Sequence, residues 1–194
     1  MSSFVFKTTS VIIKAMKIKL LIVGPLLTNC YLVVSKDELL IIDPGGGKEK
    51  ILKEAAKIKA KVKYIINTHG HPDHVFANED IRKETGAKIL IHEAEKDFIR
   101  FKADKFLEDG DEIKIGNSVL KVLHTPGHTK GGICLLGNNS VFTGDTLFKD
   151  GCGRTDLPGG SQEDLEKSLE KLKKILKPEM TVYPGHGEIF KIRR

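Results

Sequence analysis

Cysteine is scarce in this chain, and what there is does not pair by pattern. Cys30, Cys134 and Cys152 are odd in number, far apart and without a C-x-x-C arrangement. A disulfide framework is therefore not expected, and a reducing, cytoplasmic setting is. Long apolar runs are missing too: none approaches the roughly 18 residues of a membrane-spanning helix. No tandem repeat, low-complexity segment or linker breaks the chain. Residues 1–15 carry a short apolar patch, Val11-Ile12-Ile13, but neither a strongly basic start nor a small-residue cleavage site, so a signal peptide is not expected there. They read as an N-terminal extension to a single domain over 16–194.

What is present suits one folded unit. The 194 residues are enough to bury a core, and 40% hydrophobic with 30% charged residues argues against disorder. The formal net charge of +6 comes mainly from lysines scattered over stretches such as 48–63 and 167–177. That spread reads as a solvated surface, with neither nucleic acid nor membrane as partner.

Strand patterns over 17–23, 30–34 and 39–42, separated by Gly24-Pro25 and Lys36-Asp37, predict an antiparallel meander. Residues 48–59 place Ile51, Leu52, Ala55, Ala56 and Ile58 at helical spacing. A strand over 63–67, a helix over 75–85 ending at Gly86, a strand over 88–91 and a helix over 93–101 follow. Further strands are predicted over 113–115, 118–123, 132–136, 140–143 and 180–183. Residues 161–176 are the clearest helix, with Ser161 as N-cap and Leu165, Leu169, Leu172, Ile175 and Leu176 along one stripe. This alternation predicts an α/β protein in which two sheets lie between helices.

One stretch organises the rest. Thr68-His69-Gly70-His71-Pro72-Asp73-His74 packs three imidazoles and a carboxylate directly behind a buried-strand pattern. Five of the seven histidines belong to it or to two downstream loops, Pro126-Gly127-His128-Thr129 and Pro184-Gly185-His186-Gly187. Imidazole and carboxylate are the donors that zinc, iron and manganese take. Each donor follows a predicted strand, Asp145 included, and glycines beside them allow tight turns. His92 and His124 match no such position and read as packing or surface residues, and Cys152 has no free base to make it a nucleophile.

The order His69-x-His71-x-Asp73-His74, then His128, Asp145 and His186, resembles the metallo-β-lactamase superfamily over essentially residues 17–190. The resemblance implies an αββα four-layer sandwich. It implies two divalent metal ions, zinc first, with iron or manganese as the other candidates. His69, His71 and His128 would hold one ion, and Asp73, His74 and His186 the second. Asp145 would bridge them, with Asp73 and Asp145 also assigned to catalysis. Asp43 resembles a loop residue that supports the ligands.

Within the superfamily, Thr143-Gly144-Asp145-Thr146-Leu147-Phe148 and Gly151-Cys152-Gly153-Arg154 resemble the glyoxalase II group, hydroxyacylglutathione thioesterases. The resemblance implies hydrolysis of a small anionic thioester such as S-lactoylglutathione by hydroxide formed at the metals, with Arg154 meeting a substrate carboxylate. Two departures count against glutathione itself: Asp156 stands where an aromatic residue helps hold the thiol, and no helical C-terminal domain is expected after the last ligand. Gly151-Cys152-Gly153-Arg154-Thr155-Asp156 also resembles persulfide dioxygenases of the same fold, which implies the alternative of a single iron held by His69, His128 and Asp145.

Overall fold

The computed structural model describes residues 16–193; the extension expected over 1–15 lies outside them. The chain begins with β1 (Lys17–Val23), β2 (Thr28–Ser35) and β3 (Glu38–Ile42), an antiparallel meander in the predicted order. Helix α1 (Lys48–Ile58) then leads to β4 (Lys61–Ile66), which runs parallel to β3. After two short helices, α2 (Pro72–Val75) and α3 (Asn78–Thr85), strands β5 (Lys88–His92) and β6 (Lys105–Leu107) complete a six-stranded sheet in sequential order.

A second six-stranded sheet holds β7 (Glu112–Ile115), β8 (Ser118–His124), β9 (Ile133–Leu136) and β10 (Ser140–Gly144). A small hairpin follows, β11 (Leu147–Phe148) with β12 (Gly151–Cys152). Helix α4 (Gln162–Ile175) crosses over to β13 (Thr181–Pro184), parallel to β10, with β14 (Phe190–Lys191) at the edge.

Three apolar clusters show why the layers stack. Along β2 and β3, side chains alternate with the period of a strand. Cys30, Leu32, Leu39 and Ile41 face Ile51 and Ala55 of α1 and Ile81 of α3. Tyr31, Val33, Leu40 and Ile42 face the other sheet, where Leu120, Val122, Ile133, Leu135 and Phe142 meet them. The far face of that second sheet, Cys134, Val141 and Val182, is covered by Leu172 of α4. A strand buried on both faces reads as an unbroken apolar run, which is what Leu39-Leu40-Ile41-Ile42 is. The result is a four-layer αββα sandwich. No helix among the described residues is long and apolar enough to cross a membrane.

Two predicted elements differ. The helix expected over 75–85 begins only at Asn78, because a turn at Phe76–Ala77 separates it from the short α2; Ala77 N–H donates to Pro44 O at 2.9 Å rather than within a helix. The helix expected over 93–101 is one 3-10 turn at Glu93–Glu95. Its apolar spacing is real, but the Glu95 side chain is drawn inward to bond Thr129 and Gly131, and that long-range tie overrides helical propensity. Helix α4 matches its prediction closely: the Ser161 hydroxyl accepts from Asp164 N–H at 3.2 Å.

Candidate metal centre

Four strand ends build the site. β4 ends at Ile66 and delivers His69, β8 leads into the loop of His128, β10 ends beside Asp145, and β13 ends beside His186. The two sheets are tied at this rim. Tyr31 Oη donates to Pro184 O at 2.6 Å, Asn29 N–H to Gly185 O at 2.7 Å, and Ile133 N–H to Thr68 O at 2.9 Å. Ligand atoms carried on such strand ends are held rigidly without a ligand present.

The structure brings all seven expected donors together. One donor atom each from His69, His71 and His128 falls within 4.8 Å of the others, and so it is for Asp73, His74 and His186, and for His69, His74 and Asp145. The Asp145 carboxylate lies between the groups: Oδ1 is 3.5 Å from His74 Nε2, and Oδ2 is 3.5 Å from His128 Nε2 and 3.6 Å from His186 Nε2. Gly185 is needed there, since a Cβ would stand 2.2 Å from Asp145 Oδ1.

These residues fit metal ions on their own evidence. His69 Nε2 and Asp145 Oδ1 are buried without a hydrogen-bond partner, a costly state that a cation would relieve. Ring nitrogens face one another at 2.9 Å (His71 Nδ1 and His128 Nε2) and 3.2 Å (His74 Nε2 and His186 Nε2). Two of the nitrogens turned away are hydrogen-bonded. His128 Nδ1–H donates to Arg154 O at 2.7 Å, and His186 Nδ1–H to Leu26 O at 3.1 Å. His74 Nδ1 lies 3.0 Å from Asp43 Oδ2, an electrostatic contact more than a well-directed hydrogen bond. Tying one nitrogen to an oxygen fixes the tautomer and leaves the other free to ligate.

Asp43 therefore does more than make a turn. It is buried at φ 51°, and its carboxylate accepts from Thr68 N–H and Thr68 Oγ1, each at 2.7 Å, while facing His74. Asp73 accepts from Thr28 Oγ1 at 3.1 Å. The supporting roles of Thr28, Thr68 and Glu95 have no sequence signal, because nothing local distinguishes a buried supporting hydroxyl or carboxylate from a surface one.

Electrostatics divide the cluster. Burial pushes His69 well below the ordinary imidazole range, with His74 and His128 adding to it. Burial and His128 take His71 down to about 4. Burial would also lower His74, but the Asp43 carboxylate outweighs it and raises the group to about 9. His186 is raised by its hydrogen bond to Asp73. Asp73 is held below the usual carboxylate range: burial opposes this, and the contacts to His186 and His74 prevail. Burial raises Asp145.

Arg154 stands apart from the donors. Its backbone carbonyl orients His128, while its exposed guanidinium forms a bidentate pair with Asp156, both bonds 2.6 Å.

Residues 23–186 match the family described as the metallo-beta-lactamase superfamily. The chain is 35% identical over 162 residues to a probable polyketide biosynthesis zinc-dependent hydrolase of Bacillus subtilis, covering 81% of this chain and 72% of that protein. It is 38% identical over 161 residues to a hydroxyacylglutathione hydrolase of Pelagibacter ubique, covering 80% of this chain and 65% of that protein. The crystal structure of TTHA1623 in a di-iron-bound form superposes with a TM-score of 0.82 at 30% identity, over 89% of this chain and 94% of that one. The fold, the converging donors and these likenesses agree: the chain belongs to the metallo-beta-lactamase superfamily and is a metal-dependent hydrolase of it.

Proposed function

We propose that the protein is a binuclear thioester hydrolase of the glyoxalase II kind, acting on a small anionic acyl thioester. The observation that carries this reading is the Asp145 carboxylate, set between two donor groups with one oxygen toward His74 and the other toward His128 and His186. His69, His71 and His128 would hold one ion, and Asp73, His74 and His186 the other. When bound, such a pair of ions lowers the pKa of a water to about 7 and polarises a carbonyl. Zinc suits this donor set, and iron or manganese use it too.

The chain's own residues do the rest. The carbonyls of Arg154 and Leu26 hold His128 and His186 in one tautomer, Asp43 faces His74, and the strand ends keep the donors in place. Every acid–base group at the centre is engaged as a donor, which leaves none free to protonate a leaving group. A thiolate, from a thiol of pKa about 8.5, leaves without that help, whereas an amine does not. The Arg154 guanidinium, one side-chain length from His128, would give up Asp156 for a substrate carboxylate, since an exposed pair is worth only about 0–1 kcal/mol. Three unpaired cysteines, two of them buried, support a reducing cytoplasm as the setting.

A mononuclear iron dioxygenase would use only His69, His128 and Asp145. The equally close second group, Asp73, His74 and His186, favours hydrolysis. Metal analysis of the purified protein, with parallel assays of thiol release from S-lactoylglutathione and of oxygen uptake on glutathione persulfide, tests this. Two ions per chain with thiol release is the expected result; one iron with oxygen uptake overturns the reading.

A further inference from the structure

The metal centre does not account for the cavity beside it. This cavity, of about 230 Å³, is lined by Ala94, Glu95, Phe98, Thr129, Pro158 and Gly159, with Asp97 and Lys130 at its rim. It abuts the first donor group directly. Thr129 follows His128 in sequence, and the Phe98 ring stands edge-on to His71 at 5.8 Å between centroids. Phe98 is nearly half exposed although apolar, so one face of it is open to whatever enters. A space of this size takes a short chain of heavy atoms rather than one water.

Glu95 is the chemistry in that wall. Only 1% of it is exposed, and its two oxygens are used unequally. Oε1 accepts from Thr129 Oγ1 at 2.6 Å and Gly131 N–H at 2.8 Å, which fastens the His128 loop. Among the described residues no donor is bonded to Oε2. That oxygen lies against Gly70, between His69 and His71, where a Cβ would come within 2.5 Å of it. A buried carboxylate oxygen with spare acceptor capacity beside a cavity favours a donor from the ligand. Asp97 and Lys130 are exposed, opposite in charge and screened by solvent, so they add little discrimination.

We infer that this cavity is the subsite for the thiol arm of the substrate, and that Glu95 Oε2 accepts a hydrogen bond from an N–H on that arm, an inference that rests on the thioester reading. A thioester whose carbonyl sits at the metals extends its sulfur substituent away from the acyl side. In both cysteinyl and cysteamine thiols a nitrogen lies two carbons beyond the sulfur. Phe98 and Pro158 flank the intervening methylenes, and Glu95 reads the nitrogen. The substrate class is thus a thioester of an N-acylated aminothiol rather than of a simple alkyl thiol.

Glu95→Gln isolates the claim. Oε1 accepts two hydrogen bonds, so the amide oxygen takes that place and the loop stays fastened, while the amide NH2 replaces Oε2 and presents a donor to the cavity. The probes are S-acetyl-N-acetylcysteamine and its isostere in which the amide N–H is replaced by an ester oxygen, followed by thiol release. The matching thioethers, which cannot be hydrolysed, are titrated by NMR for binding alone. The metal-loaded native protein is expected to prefer the N–H compound about tenfold or more in both measurements. In Glu95→Gln the preference falls to parity or inverts, with metal content unchanged. No preference in the native protein, or a preference that survives Glu95→Gln, overturns the subsite. Absence of thiol release from either ester together with selective thioether binding overturns the thioester reading and leaves the subsite standing. A further comparison with S-lactoylglutathione separates a cysteinyl from a cysteamine source, because only the former brings carboxylates.

Discussion

The seven histidines fall into two arrangements. Five meet at the strand ends with their rings at 50° to 88° to one another, so that nitrogens converge. The other two, His92 and His124, stack face to face, 4.0 Å between centroids and 11° between planes. In the stacked pair the nitrogens look outward to the backbone: His92 Nδ1 accepts from Ala94 N–H at 3.2 Å, and His124 Nε2–H donates to Lys130 O at 2.9 Å. Burial lowers His92 to about 4, much as it lowers His71, yet among the described residues only the five bring donor atoms together with one another and with carboxylates, within 4.8 Å. Crowding of imidazoles and a depressed pKa are therefore shared by both sets, and the direction of the nitrogens is what separates a metal centre from packing.

The largest effect that sharpens this contrast is expected from Asp145→Ala. The carboxylate faces both donor groups, so its removal should lower the content of both ions and cut turnover by about a thousandfold or more, several kcal/mol of lost stabilisation. The fold should persist, because Asp145 anchors no core contact. Normal metal stoichiometry and turnover in this variant, measured by elemental analysis and thiol release, would remove the bridging role.

Asp73→Ala divides the convergent set itself. Asp73 touches His186 and Thr28 but no member of the His69, His71, His128 group. The variant should keep one ion and lose the other, with an affinity loss at least as large as the about 10–100-fold seen for groups that merely support ligands. A binuclear hydrolase then loses most of its rate. Full thioesterase activity with one ion bound would show that the second group is not part of the mechanism.

The donor set was legible because ligand chemistry is dense in sequence. His69, His71, Asp73 and His74 fall within six positions, and the remaining three each follow a strand by a few residues. The layers were legible for a similar reason: Leu39–Ile42 is apolar on both faces, and α4 carries its own N-cap and stripe. What the chain did not disclose is long-range. Glu95 belongs to a segment with helical spacing, and only its tie to Thr129 and Gly131, over 30 residues away, makes it a buried strut. The strands β6 and β14, and the hairpin of β11 with β12, are too short to show a period. Glycine beside the ligands carried mixed meaning: Gly185 is demanded by Asp145, whereas a side chain at Gly187 would meet nothing within 4 Å, although its φ of 75° still marks a turn.

Arg154→Ala should have a smaller and more selective effect. The pair with Asp156 must open before the guanidinium meets a substrate carboxylate, and that costs about 0–1 kcal/mol at an exposed site. Against a charge-assisted contact of about 1.5–3 kcal/mol, the net loss is about 0.5–3 kcal/mol, roughly two- to 150-fold in kcat/KM for an anionic thioester. It should appear mostly in KM, with a neutral thioester hardly affected. Equal losses on both substrates would mean that Arg154 acts through its loop, where its carbonyl holds His128.

The smallest effect on activity, and the sharpest test of the stacked pair, comes from His92→Phe. A phenyl ring preserves the stack on His124 and gives up only the bond to Ala94 N–H. His92 titrates at about 4 in the fold, from burial first and then His124, with Asp109 acting weakly in the opposite sense; in the unfolded chain an imidazole titrates near 6.5. Between those values the unfolded state binds more protons, so stability falls as pH drops from about 6.5 toward 4 and is unaffected by this group at higher pH. At pH 5 the penalty is at most about 2 kcal/mol. His92→Phe should flatten the loss of thermal stability between pH 7 and pH 5 by that amount while metal content stays at the native level. A fall in bound metal instead would place His92 with the convergent five and erase the distinction drawn from ring geometry.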